Sequence, residues 1–381
     1  MPYLYNSLKP IIRYTDDKIE SPIIGDDKYY YKKDLITSGV YPIYIYKNTF
    51  IYRNESDNLI CKDDEDLLLL KEIKKFKRES RMANDNSEDA LTWNVFRTIE
   101  RGGKLQELLR FLLGIDITNP KIVYWSYDQE NKCLYSELID AREKCKESKT
   151  NGTEPDLIIE CDQATIAIEA KFTSSNRTHK EDDDVLNKYQ SNLMFNKLFK
   201  KTMSDISKKG KYEKYELARN WLIGEYLRKE KKFILINLVK NSNEKDICEA
   251  MKEIFIEDEN HKFIKKTWED IYKFCNIYYP FNFSRLIKYM ANKTIGYHDG
   301  VLIKAFDIDW FIQISFILSV KAISIINKDW FIIIKLVFLN LSYKACSFGG
   351  FFILFSSLRQ WTYISVKMFY MWAYWTFFLD I

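Results

Sequence analysis

Two acids and a lysine stand close together in the stretch PDLIIECDQATIAIEAKF: Asp156, Glu169 and Lys171. Converging carboxylate oxygens suit a hard divalent cation such as Mg²⁺, which takes one or two carboxylates and keeps several waters. A lysine delivered beside them can orient a water or stabilise charge on a phosphate. Whether the three converge depends on a local hairpin. LIIE at 157–160 and TIAIEAKF at 165–172 are short β-type runs. A two-residue turn at Asp162-Gln163 sets Asp156 directly across from Glu169, with Cβ atoms about 4.5–5.5 Å apart. Two carboxylates at that spacing repel unless a cation lies between them or one is protonated. Alternation puts Glu169 and Lys171 on one face with Thr165 and Ala167. Ile166, Ile168, Ala170 and Phe172 take the other face, which is wholly apolar and belongs on a core. Pro155 fits the bend before the first strand. A slip of one residue would put Asp156 and Glu169 on opposite faces.

Each of these residues has a plainer reading. Asp156 would be a solvated turn acid, and Glu169 with Lys171 an exposed cross-strand ion pair worth little. The apolar second face argues against both, because it places the hairpin in a core. Glu160 shares the face of Asp156 and reads as an exposed acid rather than an extra ligand. Asp162 reads as a turn former.

On Pro155-Asp156 and Glu169-Ala170-Lys171 the chain resembles the PD-(D/E)XK nuclease superfamily, also called restriction-endonuclease-like. The resemblance implies an α/β fold: a three-layer core with a mixed central sheet flanked by helices. It also implies that Asp156 and Glu169 bind Mg²⁺ (or Mn²⁺), and that Lys171 assists water in attacking a phosphodiester. Members often add a Glu from a preceding helix, and Glu88 is the match here, as a further catalytic acid and metal ligand. Stepping through 88, 92, 95 and 99 follows one helical face, shared with Val95 and Ile99. Some members place a polar residue on the helix after the E-x-K strand, for which Gln190 in NKYQSN is the candidate. The resemblance covers residues 155–172 closely and 85–240 loosely. It implies a metal-dependent nuclease acting on DNA, with RNA left open, in restriction or mobile-element defence. Cutting both strands usually needs two active sites, so a homodimer is expected. Two other classes compete: a catalytically silent nucleic-acid-binding or interaction module that retains the fold, and a membrane-associated protein with an accessory soluble domain.

The elements around the hairpin follow from patterning. YPIYIYKNTFIYRN reads as one or two strands with a turn near Lys47-Asn48. Residues 63–81 look helical, acids first and bases last. Ser87 reads as the N-cap of a helix running to about Glu100, and Gly102-Gly103 interrupts it. LQELLRFLLG makes a second helix closed by Gly114. VYWSYD and CLYSEL read as strand or mixed segments. Helices are expected at about 185–203, 212–228, 244–256 and 267–275, and FILINLV at 233–239 as a buried strand.

Composition adds limits. Lys+Arg is 58 against Asp+Glu 54, a formal net charge of +4, which permits a local basic patch without arguing for one. The basic run KKGKYEKYELARNWLIGEYLRKEKK reads equally as a phosphate-tracking surface or a solvated helix face. The seven cysteines are scattered with no C-x-x-C pair, and the three histidines are far apart, so neither a disulfide framework nor a histidine-rich zinc site is indicated. With no cleavable signal peptide visible, the expected location is cytoplasmic. Three regions emerge: a β-rich and helical region over 1–80, the nuclease-like domain over 81–307, and an apolar, aromatic-rich segment over 308–381. That last segment reads as a membrane anchor, as buried helices, or as a non-native extension. No uninterrupted run in it reaches the roughly 18–20 apolar residues of a clear span.

Overall fold

The computed structural model describes residues 13–15, 18–21, 28–31, 44–46, 49–52, 54–77, 81–298, 301–306 and 308. The apolar segment over 309–381, with its three readings, lies outside them. The chain divides into two compact units at Ile308/Asp309, and all the described elements belong to the first.

Near the N-terminus β1 (Arg13–Thr15), β2 (Lys18–Ser21) and β3 (Lys28–Tyr31) form a small antiparallel sheet. β4 (Tyr44–Tyr46) and β5 (Thr49–Ile51) pair as a hairpin with Tyr46 opposite Thr49, so the connection falls at 47–48 as the sequence indicates.

The main sheet has seven strands: β6 (Lys121–Tyr124), β7 (Tyr127–Asp128), β8 (Cys133–Leu134), β9 (Leu157–Glu160), β10 (Ala164–Ala170), β11 (Lys232–Val239) and β12 (His261–Thr267). Their order is β12-β11-β10-β9-β6-β7-β8. β10, β11 and β12 run parallel, whereas β9 and β6 to β8 pair antiparallel. The sheet is therefore mixed, as expected. A short pair, β13 (Thr294–His298) with β14 (Val301–Lys304), lies after it.

Two apolar layers clothe the sheet. One packs helices Glu88–Arg101, Leu105–Leu113, Trp268–Tyr278 and Ser284–Asn292 onto Ile166, Ile168, Ala170, Ile234 and Ile236. The other packs helices Ser136–Lys144, Asp183–Gln190, Tyr215–Leu227 and Ile247–Ile254 onto Ile158, Ala167, Phe233 and Leu235. The alternation in β10 thus divides its residues between two cores, and all seven are buried. This is the three-layer α/β arrangement of restriction-endonuclease-like proteins.

Local sequence explains the ends of these elements. Ser87 accepts from the Ala90 N–H and caps its helix. Gly114 adopts φ 68°, a left-handed cap after Leu113. The region before residue 81 is not separate, however. Leu59, Leu70 and Ile73 sit in the same core as Met82, Ala90 and Leu91, and Asp66, at 0 % exposure, pairs with Arg97. A boundary at 80/81 would cut through that core. The helix expected over 185–203 is broken into Asp183–Gln190 and a short Phe195–Leu198 turn. Among the described residues no helix is long and apolar enough to cross a membrane.

Candidate active site

The hairpin has the register that the sequence requires. Thr165 lies opposite Glu160, Ile166 opposite Ile159, Ala167 opposite Ile158 and Ile168 opposite Leu157. The Cys161 N–H donates to the Ala164 carbonyl, closing the turn around Asp162 and Gln163. Asp162 accepts from Thr118 and Asn119 and is a turn former. Continued one step, this register would set Asp156 against Glu169, but the paired stretch ends at Leu157 and Ile168. Glu160 lies at the other end of the strand, bonded to Thr165 and facing Lys231.

At the Asp156 end, β9 and β10 diverge. Asp156 fills the fork: its Oδ2 accepts from the Ala170 N–H at 2.8 Å and its Oδ1 from Trp125 Nε1 at 3.2 Å. Glu169, 5 % exposed, accepts from Lys171 Nζ at 2.5 Å and from Asn220 Nδ2 at 2.8 Å. Lys171 Nζ is also 3.8 Å from Glu88 Oε1 and 3.5 Å from Glu216 Oε2. Glu88 Oε2 accepts from the Phe172 N–H at 2.7 Å and the Ser174 hydroxyl at 2.9 Å. Trp268 Nε1 donates to the Lys171 carbonyl and pins the strand end. Residues from both helical layers thus reach over the C-terminal end of β10. Open α/β sheets place ligands at this kind of edge.

A family model described as Restriction Endonuclease associating with ARP (REase-ARP) matches residues 25–293, more than half of the chain. The chain belongs to this family. No curated protein and no solved structure matches it. The REase-ARP match spans the Glu88 helix, the hairpin and the Tyr215–Leu227 helix, so every residue of the cluster falls inside it. Membership in a restriction endonuclease family points to a nuclease-like role with DNA as the substrate.

Two sequence expectations for this REase-ARP chain change. Gln190 is not brought to the cluster. It ends its helix, and its side-chain oxygen accepts from the Met203 N–H. The helix that reaches the site is the later one, Tyr215–Leu227, through Glu216 and Asn220. Their spacing, i and i+4 on one helical face, is a signal the sequence carries. Nor do Asp156, Glu169 and Glu88 form a ready three-carboxylate cage: among the described residues no group of three or more His, Cys, Asp or Glu side chains is set to hold a metal. The reason is local. Glu88 is drawn to the Phe172 N–H and Ser174, and Glu169 to Lys171 and Asn220.

The electrostatics nevertheless favour a cation. Burial pushes the Glu169 and Glu88 carboxyls well above the usual carboxylate range; Lys171 opposes this, and the charge of Asp156 adds to it. Burial alone would lower Lys171, but Glu169, Asp156, Glu88 and Glu216 outweigh it and raise that group. Several acids therefore share one ammonium in a poorly solvated place, which favours the neutral form of some of them unless further positive charge enters. The hard oxygens of Asp156 and Glu169 fit Mg²⁺ or Mn²⁺.

A cavity of ≈ 530 Å³ lies elsewhere, lined by Lys121, Tyr135, Glu160 and Lys231 among others, at the turn end of the hairpin. Its charged groups are paired with one another, as Lys121 with Glu130 and Lys231 with Glu160. None of Asp156, Glu169, Lys171 and Glu88 lines it.

Proposed function

We propose that this REase-ARP member is a cation-dependent nuclease of the PD-(D/E)XK type that hydrolyses phosphodiester bonds in DNA, in a restriction or mobile-element defence role. The observation that carries this reading is the convergence of Asp156, Glu169, Lys171 and Glu88 at one sheet edge, from two strands and the first helix of the opposite layer. Asp156 and Glu169 would hold Mg²⁺ or Mn²⁺, and such an ion supplies Lewis-acid stabilisation of phosphate charge and lowers the pKa of water. Lys171 stays protonated among its carboxylates and faces the phosphate as a fixed positive charge. Glu88 anchors the Phe172 N–H and so holds the backbone that presents Lys171. Asn220 holds Glu169 in place from the opposite helix layer.

Double-strand cleavage would draw on two copies of this site, and a homodimer is proposed for that purpose. The family description names an association with ARP, which we carry to this chain as a proposed partner.

The test is cleavage of supercoiled plasmid and of single-stranded DNA with Mg²⁺. The wild type is expected to cut, and Lys171→Ala and Asp156→Ala to lose at least about 10²-fold in rate. Wild-type rates in both variants would remove the site. Absence of cleavage on every substrate would favour a silent DNA-binding module.

A further inference from the structure

Trp125 and Ser126 join β6 to β7, with Tyr124 paired to Tyr127. Both turn residues have positive φ, 43° and 70°. A two-residue hairpin turn of this kind is ordinarily Asn-Gly or Asp-Gly, because a Cβ is strained in the left-handed region. A tryptophan there is out of place, and such strain persists where the surroundings over-determine it.

The surroundings do hold it. Arg142, 1 % exposed, donates to Ser126 Oγ at 2.9 Å, to the Thr153 carbonyl at 2.9 Å and to the Lys149 carbonyl at 2.7 Å. It thereby ties the turn to the loop that runs into Pro155-Asp156. Lys77 Nζ lies 4.6 Å from the centre of the Trp125 ring and pairs with Asp89, the neighbour of Glu88. The Trp125 N–H donates to the Asp156 carbonyl. Held in this way, the indole Nε1–H meets Asp156 Oδ1, while the Ala170 N–H meets Oδ2. One donor on each oxygen fixes the plane of the carboxylate and leaves further lone pairs for a cation.

We propose that Trp125 is a positioning residue for Asp156: the strained Trp125-Ser126 turn, clamped by Arg142 and Lys77, orients the carboxylate for a divalent cation. The proposal rests on the cation-dependent nuclease reading. Donors behind metal-binding carboxylates commonly tune affinity in this way.

The experiment is Mn²⁺ binding by the full chain without DNA, followed by calorimetry or by electron paramagnetic resonance. Trp125→Phe keeps a buried ring and removes the donor. Its Mn²⁺ Kd is expected to weaken about ten- to a hundred-fold, with the thermal midpoint near wild type. In plasmid cleavage kcat falls while KM for DNA holds. Ser126→Ala removes the acceptor of Arg142 and should weaken Mn²⁺ in the same direction, and the double variant should add less than the two effects combined. Wild-type Mn²⁺ affinity in Trp125→Phe overturns the positioning role and leaves the nuclease reading intact. Should Trp125→Phe fail to fold, Ser126→Ala decides, and unaltered affinity there overturns the role. A wild type that binds no Mn²⁺ overturns both readings.

Discussion

Glu169 has one oxygen on Lys171 and the other on Asn220. The lysine brings charge, whereas the amide only orients. Asn220 is 3 % exposed, so its bond to an acid is shielded from water. Hydrogen bonds to charged groups contribute about 1.5–3 kcal/mol. Asn220→Leu should therefore lower stability by about that amount and slow cleavage, because Glu169 is then free to turn. Asn220→Asp should be worse, since it sets a like charge against Glu169. Urea unfolding and plasmid cleavage read both effects. A wild-type cleavage rate in Asn220→Leu would take Asn220 out of the site. The sequence pointed instead to Gln190, on the first helix after the strand. Distance along the chain is the wrong guide, because the crossover from β10 to β11 interposes three short helices before Tyr215–Leu227 packs back on the sheet.

That helix can deliver Glu216 and Asn220 only by lying close to the sheet. Gly224 permits the approach. A Cβ there would collide with the ring of Phe233, which is fully buried on β11 and edge-on to Trp221. Alanine is the better helix former by about 1 kcal/mol. Overpacking a tight core costs about 1–3 kcal/mol, and the contact is too short for that gain to win. Gly224→Ala is expected to lower the thermal midpoint and, by shifting the helix, the cleavage rate as well. A more stable Gly224→Ala with full activity would show that the helix does not need this approach. β12 is one of the elements that patterning overlooked, with the helices Ser136–Lys144 and Ser284–Asn292. His261–Thr267 reads HKFIKKT, rich in lysine, because it is the edge strand, with Lys262 exposed and Ile264 to Lys266 half-buried. Charged edges discourage pairing with other chains, and they also hide a strand from any search for apolar runs.

Across the whole molecule, His261 fastens that edge to the helix layer. Its Nε2 lies 2.7 Å from Glu225 and its Nδ1 2.9 Å from Asp258. Burial alone would lower its pKa, but the two carboxylates outweigh burial and raise it. The unfolded value is about 6.5. The contribution of His261 to stability is thus complete below about pH 6.5 and is lost as pH rises through the higher folded value. Glu225 and Asp258 run the other way: burial raises each, but bonds to His261 and other donors lower them overall. Their contribution is complete above about pH 4.3, the ordinary carboxylate range, and fades as pH falls through the depressed values. Urea midpoints should therefore be highest between these limits and decline above them. His261→Gln should flatten the alkaline limb, and an unchanged pH profile in that variant would disprove the linkage.

The hairpin was legible because its information is local. A two-residue turn and strict alternation predict Asp156 against Glu169 with Lys171 on their face, and the four pairs from Thr165–Glu160 to Ile168–Leu157 have the register this requires. Ser87 and the apolar stripe behind it likewise announce the Glu88 helix and its direction. The rest of the site is set by packing. Asn220 and Glu216 arrive from a helix some fifty residues beyond Glu169, and Trp125 from a turn some thirty residues before Asp156. No spacing rule links such residues, since crossover length and helix docking decide which side chains meet. By itself the sequence determined the register of the strand pair. The tertiary structure decided which neighbours hold those carboxylates and which of them stay free for a cation, because a lone pair is spent on whatever donor the packed fold brings within reach.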